Sequence, residues 1–355
     1  VPVRQILTVL GVTNGVTHMQ FEKSFATKNQ HLLTISIPTY NRAKYLDLCL
    51  KRISEEIESL GSLERCLVGV YVSDNASSDE TSKVIGQYQE RLADALVAVR
   101  NGENTGPDYN ITQCYESANT PYVWIIGDDD VLLPGGLKMV LDTLKGEEID
   151  LLYAGNYWFK GNYLDKPARR EKSGTIKLNN PLDFVRRTNV MLTFISGLIV
   201  RSGVGVKYRS ELRESNLVQL SWVLPLLRDG KHFAIIEDWV VAAKEANSGG
   251  YGLITVFGEN LQRIANMILS DRPALTKAIE NGTIVYFFPG FVMDLRCGSS
   301  KFQDKSIANG LKSVFGNNWR YFIFLLPLIA MPLYFSRYYY YLTRLIRLLI
   351  GPYLI

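Results

Sequence analysis

Tyr122-Val123-Trp124-Ile125-Ile126-Gly127-Asp128-Asp129-Asp130 is the stretch that decides how this chain is read. Five consecutive apolar residues, all β-branched or aromatic, suit a central strand covered on both faces, whereas a half-exposed strand would alternate. Three carboxylates follow after a single glycine. At the mouth of an apolar sheet such groups repel one another unless a cation compensates. Two readings fit this run. It is a solvated acidic turn capping a helix that begins near Pro134, or it is a site for a hard divalent ion, Mn²⁺ or Mg²⁺, which takes one or two carboxylates together with phosphate oxygens.

Upstream, Leu32-Leu33-Thr34-Ile35-Ser36-Ile37 predicts a buried strand stopped by Pro38. Leu46, Cys49, Leu50, Ile53, Ile57 and Leu60 then recur at helical spacing, with Gly61 placed to end the helix. Val68–Val72 predicts a second strand, delivering Ser73-Asp74-Asn75 to its carboxyl end. Ser77 and Glu80 have capping-box spacing for the helix carrying Val84, Ile85, Tyr88 and Leu92, and Asp79 is an alternative cap. A third strand near residues 96–99 leads to Asn104-Thr105-Gly106-Pro107, with Pro107 suited to the first turn of a helix. Helix 134–145 and strand 149–154 continue the alternation. Residues 31–154 therefore predict an α/β fold of repeated β-α units around a mostly parallel sheet flanked by helices. Ligands of such sheets collect beyond the carboxyl ends of the strands, where Thr39-Tyr40-Asn41, Ser73-Asp74-Asn75 and the acidic run all fall.

Composition sets the outer limits. With 355 residues, 47% hydrophobic and 21% charged, the chain can bury a large core and carry an appendage. Cys49, Cys66, Cys114 and Cys297 stand far apart, as do His18, His31 and His232, which argues against a structural zinc site or a disulfide scaffold and for a reducing setting. The net charge of +4 is unevenly placed. Lys305 to the C-terminus holds six basic residues and no Asp or Glu, while the preceding part carries 33 basic and 35 acidic residues. Because this basic segment is also the most apolar one, an anionic membrane surface is the expected partner rather than nucleic acid. Residues 1–18, ahead of Met19, do not have the form of a secretory signal and are expected to be non-native sequence.

Taken together and in order, residues 35–42 (Ile-Ser-Ile-Pro-Thr-Tyr-Asn-Arg), 73–81, 104–107 and 127–130 closely resemble family 2 glycosyltransferases of the GT-A fold, and within them the bacterial abequosyltransferase-type enzymes that add a sugar to a lipid-linked repeat unit. The resemblance implies that Pro38, Thr39, Tyr40 and Asn41 lie along the nucleotide base and ribose and that Asp74 binds the base. It implies that Asn75, Asn104, Gly106 and Asp128 line the nucleotide-sugar site, and that Asp129 and Asp130 are ligands of a Mn²⁺ or Mg²⁺ ion. The family often reads Asp-x-Asp-Asp at the last motif, and Gly127 takes its first position here, so the register points to Asp129 as the direct ligand. The implied reaction is inverting transfer from a nucleoside-diphosphate sugar to a hydroxyl of a saccharide acceptor, lipid-linked, in cell-surface polysaccharide synthesis. A carboxylate in the second half serves as base. Glu211 and Glu214, before Asn216-Leu217-Val218-Gln219, and Asp238, in Glu237-Asp238, are the candidates by position.

Phe194–Arg201 resembles the family's acceptor-side strand, and Asn247-Ser248-Gly249-Gly250-Tyr251 reads as a loop able to close over substrates. The expected organisation is an N-terminal tail (1–30), a GT-A domain (31–256), a helical extension (257–320) and a membrane-associating segment (321–355). Tyr321–Ser336 is uncharged but too short to span a bilayer, and Pro327 and Pro332 break it. Arg337, Arg344 and Arg347 are predicted on one side of a helix whose other side shows Ile346, Leu349 and Ile350, an interfacial anchor that places the protein peripherally on the cytoplasmic face of the plasma membrane. Two other classes remain. A nucleotidyltransferase would share the sheet and carboxylates but needs a Gly-rich loop after the first strand, where Pro38–Asn41 has no glycine. The other is a non-catalytic sugar- or membrane-binding protein on the same scaffold.

Overall fold

Strand β4 (Tyr122–Ile125) lies in the interior of a nine-stranded sheet and is buried at every position. The computed structural model describes residues 31–167, 173–245, 251–298, 307–351 and 354–355. The predicted N-terminal tail and most of the 247–251 loop lie outside the described residues.

Strands β1 (Leu33–Thr39), β2 (Val68–Asp74) and β3 (Leu96–Arg100) stand in the order β3-β2-β1-β4, all parallel. Leu33 pairs with Val68 on one side and Tyr122 on the other. This is the predicted β-α alternation, and it brings the carboxyl ends of β1, β2 and β4 to one edge. Residues of β4 alternate between two cores. Tyr122, Trp124 and Ile126 join the core under helices Ala43–Ser59, Thr81–Leu92 and Gly136–Gly146. Val123 and Ile125 face the opposite core, with Tyr115 and Trp222 stacked at 4.2 Å between their centroids. Each fully buried side chain of this kind stabilises the fold by about 1.5–3 kcal/mol.

Beyond β4 the sheet becomes mixed. Strand β8 (Leu198–Arg201) is antiparallel to both β4 and β6 (Leu151–Phe159), β9 (Phe233–Lys244) is parallel to β6, and β5 (Val131–Leu132) and β7 (Thr175–Leu178) run antiparallel to β9. The parallel pattern thus holds for the first half only, because β8 enters between β4 and β6 from the far side of the chain. The predicted strand at Phe194–Arg201 is a 3₁₀ turn, Ile195–Gly197, followed by β8. The β6–β9 register shifts between Ala154 and Asn156. Gly155 allows this, since a Cβ there would lie 2.4 Å from the Asp238 carbonyl oxygen.

From Ile254 onward the described chain is helical. Helices Leu261–Ile268 and Pro273–Gly282 complete the second core, and Phe288, Phe315, Tyr321 and Phe324 centre a third. The final helix, Leu333–Ile350, follows breaks at Leu325 and Pro332 and lays Ser336, Tyr339, Tyr340 and Ile346 toward that third core. No described helix is long and apolar enough to cross a membrane. The phase of this helix corrects the sequence expectation. Arg347 is turned inward, donating to the Val285 carbonyl (3.2 Å) and lying over Tyr286 and Tyr340, and Ile346 packs inward too. Arg337, Arg344, Leu349 and Ile350 face outward. Desolvated aromatic rings offer Arg347 more than a charged stripe would.

One buried carboxylate holds the second half of the sheet together. Asp150, ahead of β6, meets Arg201 of β8 at 2.7 Å and accepts the amides of Lys231 (2.6 Å) and His232 (3.0 Å) ahead of β9. Asp150→Ala should lower stability by about 2–3 kcal/mol, because it leaves two amides without their acceptor and Arg201 with Glu148 alone. Denaturant melts of the two proteins measure this difference.

Candidate active site

The loops that end β1, β2 and β3 are stapled by side-chain amides. Asn75 donates to Asn104 Oδ1 (2.7 Å) and the Gly106 carbonyl (3.2 Å), and its own oxygen accepts from Asn101 Nδ2, the Thr105 amide and the Thr105 hydroxyl. Asn110 accepts from the Ser73 hydroxyl (2.6 Å) and donates to the carbonyls of Ser73 and Thr39. Both amides are buried, so each links loops that would otherwise move independently. Gly106 stands at φ 88°, a left-handed conformation that suits glycine, directly before Pro107 opens the next helix.

Asn41 (φ 52°) donates its amide to Ser77 Oγ (2.8 Å) and accepts the Ser78 amide at Oδ1 (2.7 Å). The Ser77 hydroxyl is therefore committed to Asn41. The helix begins at Thr81, later than a Ser77–Glu80 capping box requires, and Asp79 accepts the Thr81 amide instead (3.1 Å). Asp74 is buried, accepting the Ser77 amide (2.9 Å) and Arg100 Nη1 (2.7 Å). In this state it shapes the loop, and a ligand reaching it must share it with Arg100. Tyr40 stands at the mouth with 41% of its surface exposed, and Pro38 is half-buried.

The acidic run folds as a turn, with the Asp130 amide donating to the Gly127 carbonyl (3.0 Å). Its three carboxylates have different partners. Arg42 Nη1 bridges Asp128 Oδ1 at 3.0 Å and Asp129 Oδ2 at 3.1 Å, and Thr39 Oγ1 donates to Asp128 Oδ2 at 2.8 Å. Asp130 faces the second half of the sheet, accepting the Ser196 hydroxyl (2.5 Å) and the Lys244 amide (2.9 Å). Ser196 Oγ in turn accepts the Gly127 amide (2.8 Å), and its carbonyl accepts Trp124 Nε1 (2.8 Å). Burial pushes Asp128 up to about 6, although Arg42 opposes it, and burial with the neighbouring Asp129 charge pushes Asp130 up to about 7.

Asp128 and Asp129 already share one cationic nitrogen, so their oxygens converge on a place suited to a positive charge. Mn²⁺ and Mg²⁺ use one or two carboxylates plus phosphate and water oxygens, which this pair fits. Among the described residues no group of three or more His, Cys, Asp or Glu side chains could form an all-protein cage. Asp130 is turned away from Arg42, its two oxygens held by a buried hydroxyl and a backbone amide from the second half of the sheet. Gly127 fits this crowding. A Cβ at that position would lie 3.2 Å from both Asp129 Oδ1 and Asp130 Oδ2.

The three candidate bases are not equivalent. Asp238 accepts the Gly174 amide (2.8 Å) and lines a cavity of about 360 Å³ with Met139, Asp142 and Lys177. It lies six residues along β9 from Lys244, at most about 20 Å from the acidic turn at ordinary strand rise. Glu211 is exposed, hydrogen-bonded to Ser210. Glu214 is also exposed, but its turn is tied to the site. Glu214 and Asn216 have φ of 63° and 57°, and buried Asp108, in the first turn of the helix that follows Gly106, accepts the Asn216 amide at 3.1 Å. Arg42, Asn110, Ser196 and Lys244 were not foreseen as site residues. Arg42 and Ser196 lay inside segments already singled out, whereas Asn110 and Lys244 carried no local signal.

Residues 34–202 match the family model for Glycosyl transferase family 2. The match covers just under half of the chain. The chain is 34% identical over 120 residues to the abequosyltransferase RfbV of Salmonella typhimurium, an alignment covering 34% of each protein. It is 28% identical over 109 residues to the GalNAc(5)-diNAcBac-PP-undecaprenol beta-1,3-glucosyltransferase of Campylobacter jejuni, covering 31% of this chain and 33% of that one. The chain thus spans about a third of the length of these two curated relatives. The whole fold is similar to the S. aureus TarS 1–349 structure, with a TM-score of 0.57, 16% identity and 88% of each chain covered. That likeness is one of fold, and it extends through the helical region beyond the family 2 match.

Gly127→Asp restores the acid that the family often carries here, yet in this chain it should destabilise by about 1–3 kcal/mol through overpacking against two buried carboxylates. A thermal melt at neutral pH checks it. A variant as stable as the parent would show that the acidic turn has slack that the structure does not show.

Proposed function

We propose that the chain is an inverting glycosyltransferase that takes a sugar from a nucleoside diphosphate and attaches it to a hydroxyl of a lipid-linked saccharide, in bacterial cell-surface polysaccharide assembly. The observation that carries this reading is buried Asp128 and half-buried Asp129 sharing one nitrogen of Arg42 beside Thr39, at the strand ends of the segment that matches the family 2 model. TarS has been crystallised with UDP and with UDP-GlcNAc, which supports a nucleotide-sugar donor for the shared fold. The undecaprenol in the name of the Campylobacter relative supports a lipid-linked acceptor.

A divalent ion, Mn²⁺ or Mg²⁺, held by Asp128 and Asp129 would offset the charge that develops on the departing diphosphate. Asp130 positions rather than ligates, tying the acidic turn through Ser196 and Lys244 to the acceptor side of the sheet. Pro38, Tyr40 and Asn41 border the base and ribose, with Asn75, Asn104 and Gly106 holding the opposite wall. Arg42 compensates the charge of the pair, and with a divalent ion held there its guanidinium would be available to the diphosphate. Glu214 acts as the base that removes the acceptor proton, since its turn is the one held by Asp108 against the donor-side helix. The membrane surface is approached through residues 321–355.

A panel of nucleotide sugars, each with and without Mn²⁺, identifies the donor by thermal stabilisation, because a ligand bound at about 100 times its dissociation constant adds about 2.7 kcal/mol. Asp129→Ala should remove the metal-dependent part of that shift and lower transfer at least about 100-fold, the range expected when charge stabilisation at the leaving group is lost. A folded Asp129→Ala protein with full transfer would refute the metal assignment. Glu214→Gln should lower kcat about 10²–10³-fold with donor binding intact, while Glu211→Gln and Asp238→Asn should not. Equal losses in all three would leave Glu214 no special role.

A further inference from the structure

The described surface carries its large exposed apolar side chains unevenly. Fourteen of twenty-three lie between Trp319 and Ile350, and most of those lie on one face of the helix Leu333–Ile350. Scattered apolar residues are ordinary, but a continuous face of this kind needs an occupant. Tyr338, Tyr341, Leu345, Leu348 and Leu349 are 60, 65, 53, 62 and 71% exposed, whereas Ser336 and Thr343 on the opposite face are fully buried. The helix is anchored along its inner side by Arg347, by Tyr339 donating to the Ile323 carbonyl (2.9 Å), and by Arg296 donating to Ser336 Oγ (2.7 Å). It therefore lies against the protein as a fixed, amphipathic rod about 27 Å long with its apolar side outward.

We infer that this outward face docks in the plane of an anionic lipid bilayer. Exposed Arg337 and Arg344 border the face, and no Asp or Glu occurs between Lys305 and Ile355. A second copy of the chain meets this face poorly. In an antiparallel two-fold pair the face would oppose itself and bring its basic border onto another basic border with no acid of this segment to answer it. Anionic headgroups supply that answer, and rings with polar tips, such as Tyr334, Tyr338 and Tyr341, suit the headgroup boundary. The inference deepens the lipid-linked acceptor reading and rests on it for its purpose. Docking here would confine the enzyme to the surface where a lipid-linked substrate lies.

The test is flotation of the full chain through a density gradient with phosphatidylcholine vesicles, with and without phosphatidylglycerol. The parent should rise with the anionic vesicles and bind about tenfold less to neutral ones or in high salt, where charge attraction is screened. L345E/L349E should stay at the bottom yet show the parent's thermal shift with its nucleotide sugar, and R337Q/R344Q should lose the preference for anionic lipid. A parent that fails to float overturns the inference. So does a parent that sediments as a dimer which L345E/L349E dissociates, or a double variant that floats as well as the parent. Flotation that persists when no nucleotide sugar binds would uphold the docking face while removing the donor reading.

Discussion

Three adjacent carboxylates removed from water are the constraint around which the site is organised. An isolated buried carboxylate is so costly that it either takes up a proton or acquires partners. Here the partners come from every part of the domain. Thr39 comes from the end of β1 and Arg42 from the residue before the first helix, whereas Ser196 and Lys244 come from the second half. Satisfying the acidic turn therefore joins the parallel half of the sheet to the mixed half, so one local electrostatic problem also sets the relative position of the two halves. Burial still holds Asp128 and Asp130 above the usual carboxylate range, so these partners do not remove the whole cost.

The three carboxylates differ in which partners hold them. Asp130 accepts a buried hydroxyl and a backbone amide from the second half of the sheet. Asp128 accepts the buried Thr39 hydroxyl and shares with Asp129 one nitrogen of Arg42, whose side chain is 36% exposed. A guanidinium on a long, partly solvated stem is the more easily exchanged of these partners. The same difference separates Asp74, locked to its own turn and to Arg100, from the exposed Tyr40 above it.

Much of this was legible in the sequence, for physical reasons that differ by element. The β1–β4 half could be read because each strand is a short apolar run punctuated by Pro38, Gly61 or a polar cluster, and because β-α alternation leaves few ways to arrange it. The place of β8 between β4 and β6 could not. An apolar four-residue strand, Leu198–Arg201, carries no mark of the direction in which it will pair. Convergence of Thr39, Asn75 and Asp128 was foreseen from the rule that strand ends gather ligands, but Asn110 and Lys244 reach the site through hydrogen bonds across 71 and 114 residues. The phase of the last helix was misjudged for a related reason. Counting charges at spacings of seven and three put Arg347 with Arg337 and Arg344, when a pair of tyrosine rings, one of them on a distant segment, gave it a better place inside.

The inward turn of Arg347 fixes the last helix against the protein. An amphipathic segment that folds only on lipid must pay its ordering entropy at each encounter. Leu333–Ile350 has its inner face tied by Arg296, Tyr339 and Arg347 to the third core, so the cost of ordering is met when the protein folds. Its apolar face is then presented at a fixed angle to the sheet. Because the third core packs on helices that themselves complete the second core, under β4 and β8, the orientation of this face and that of the acidic turn are set by one continuous packed body. Whatever surface meets the face, the acidic turn stands at a constant distance from it.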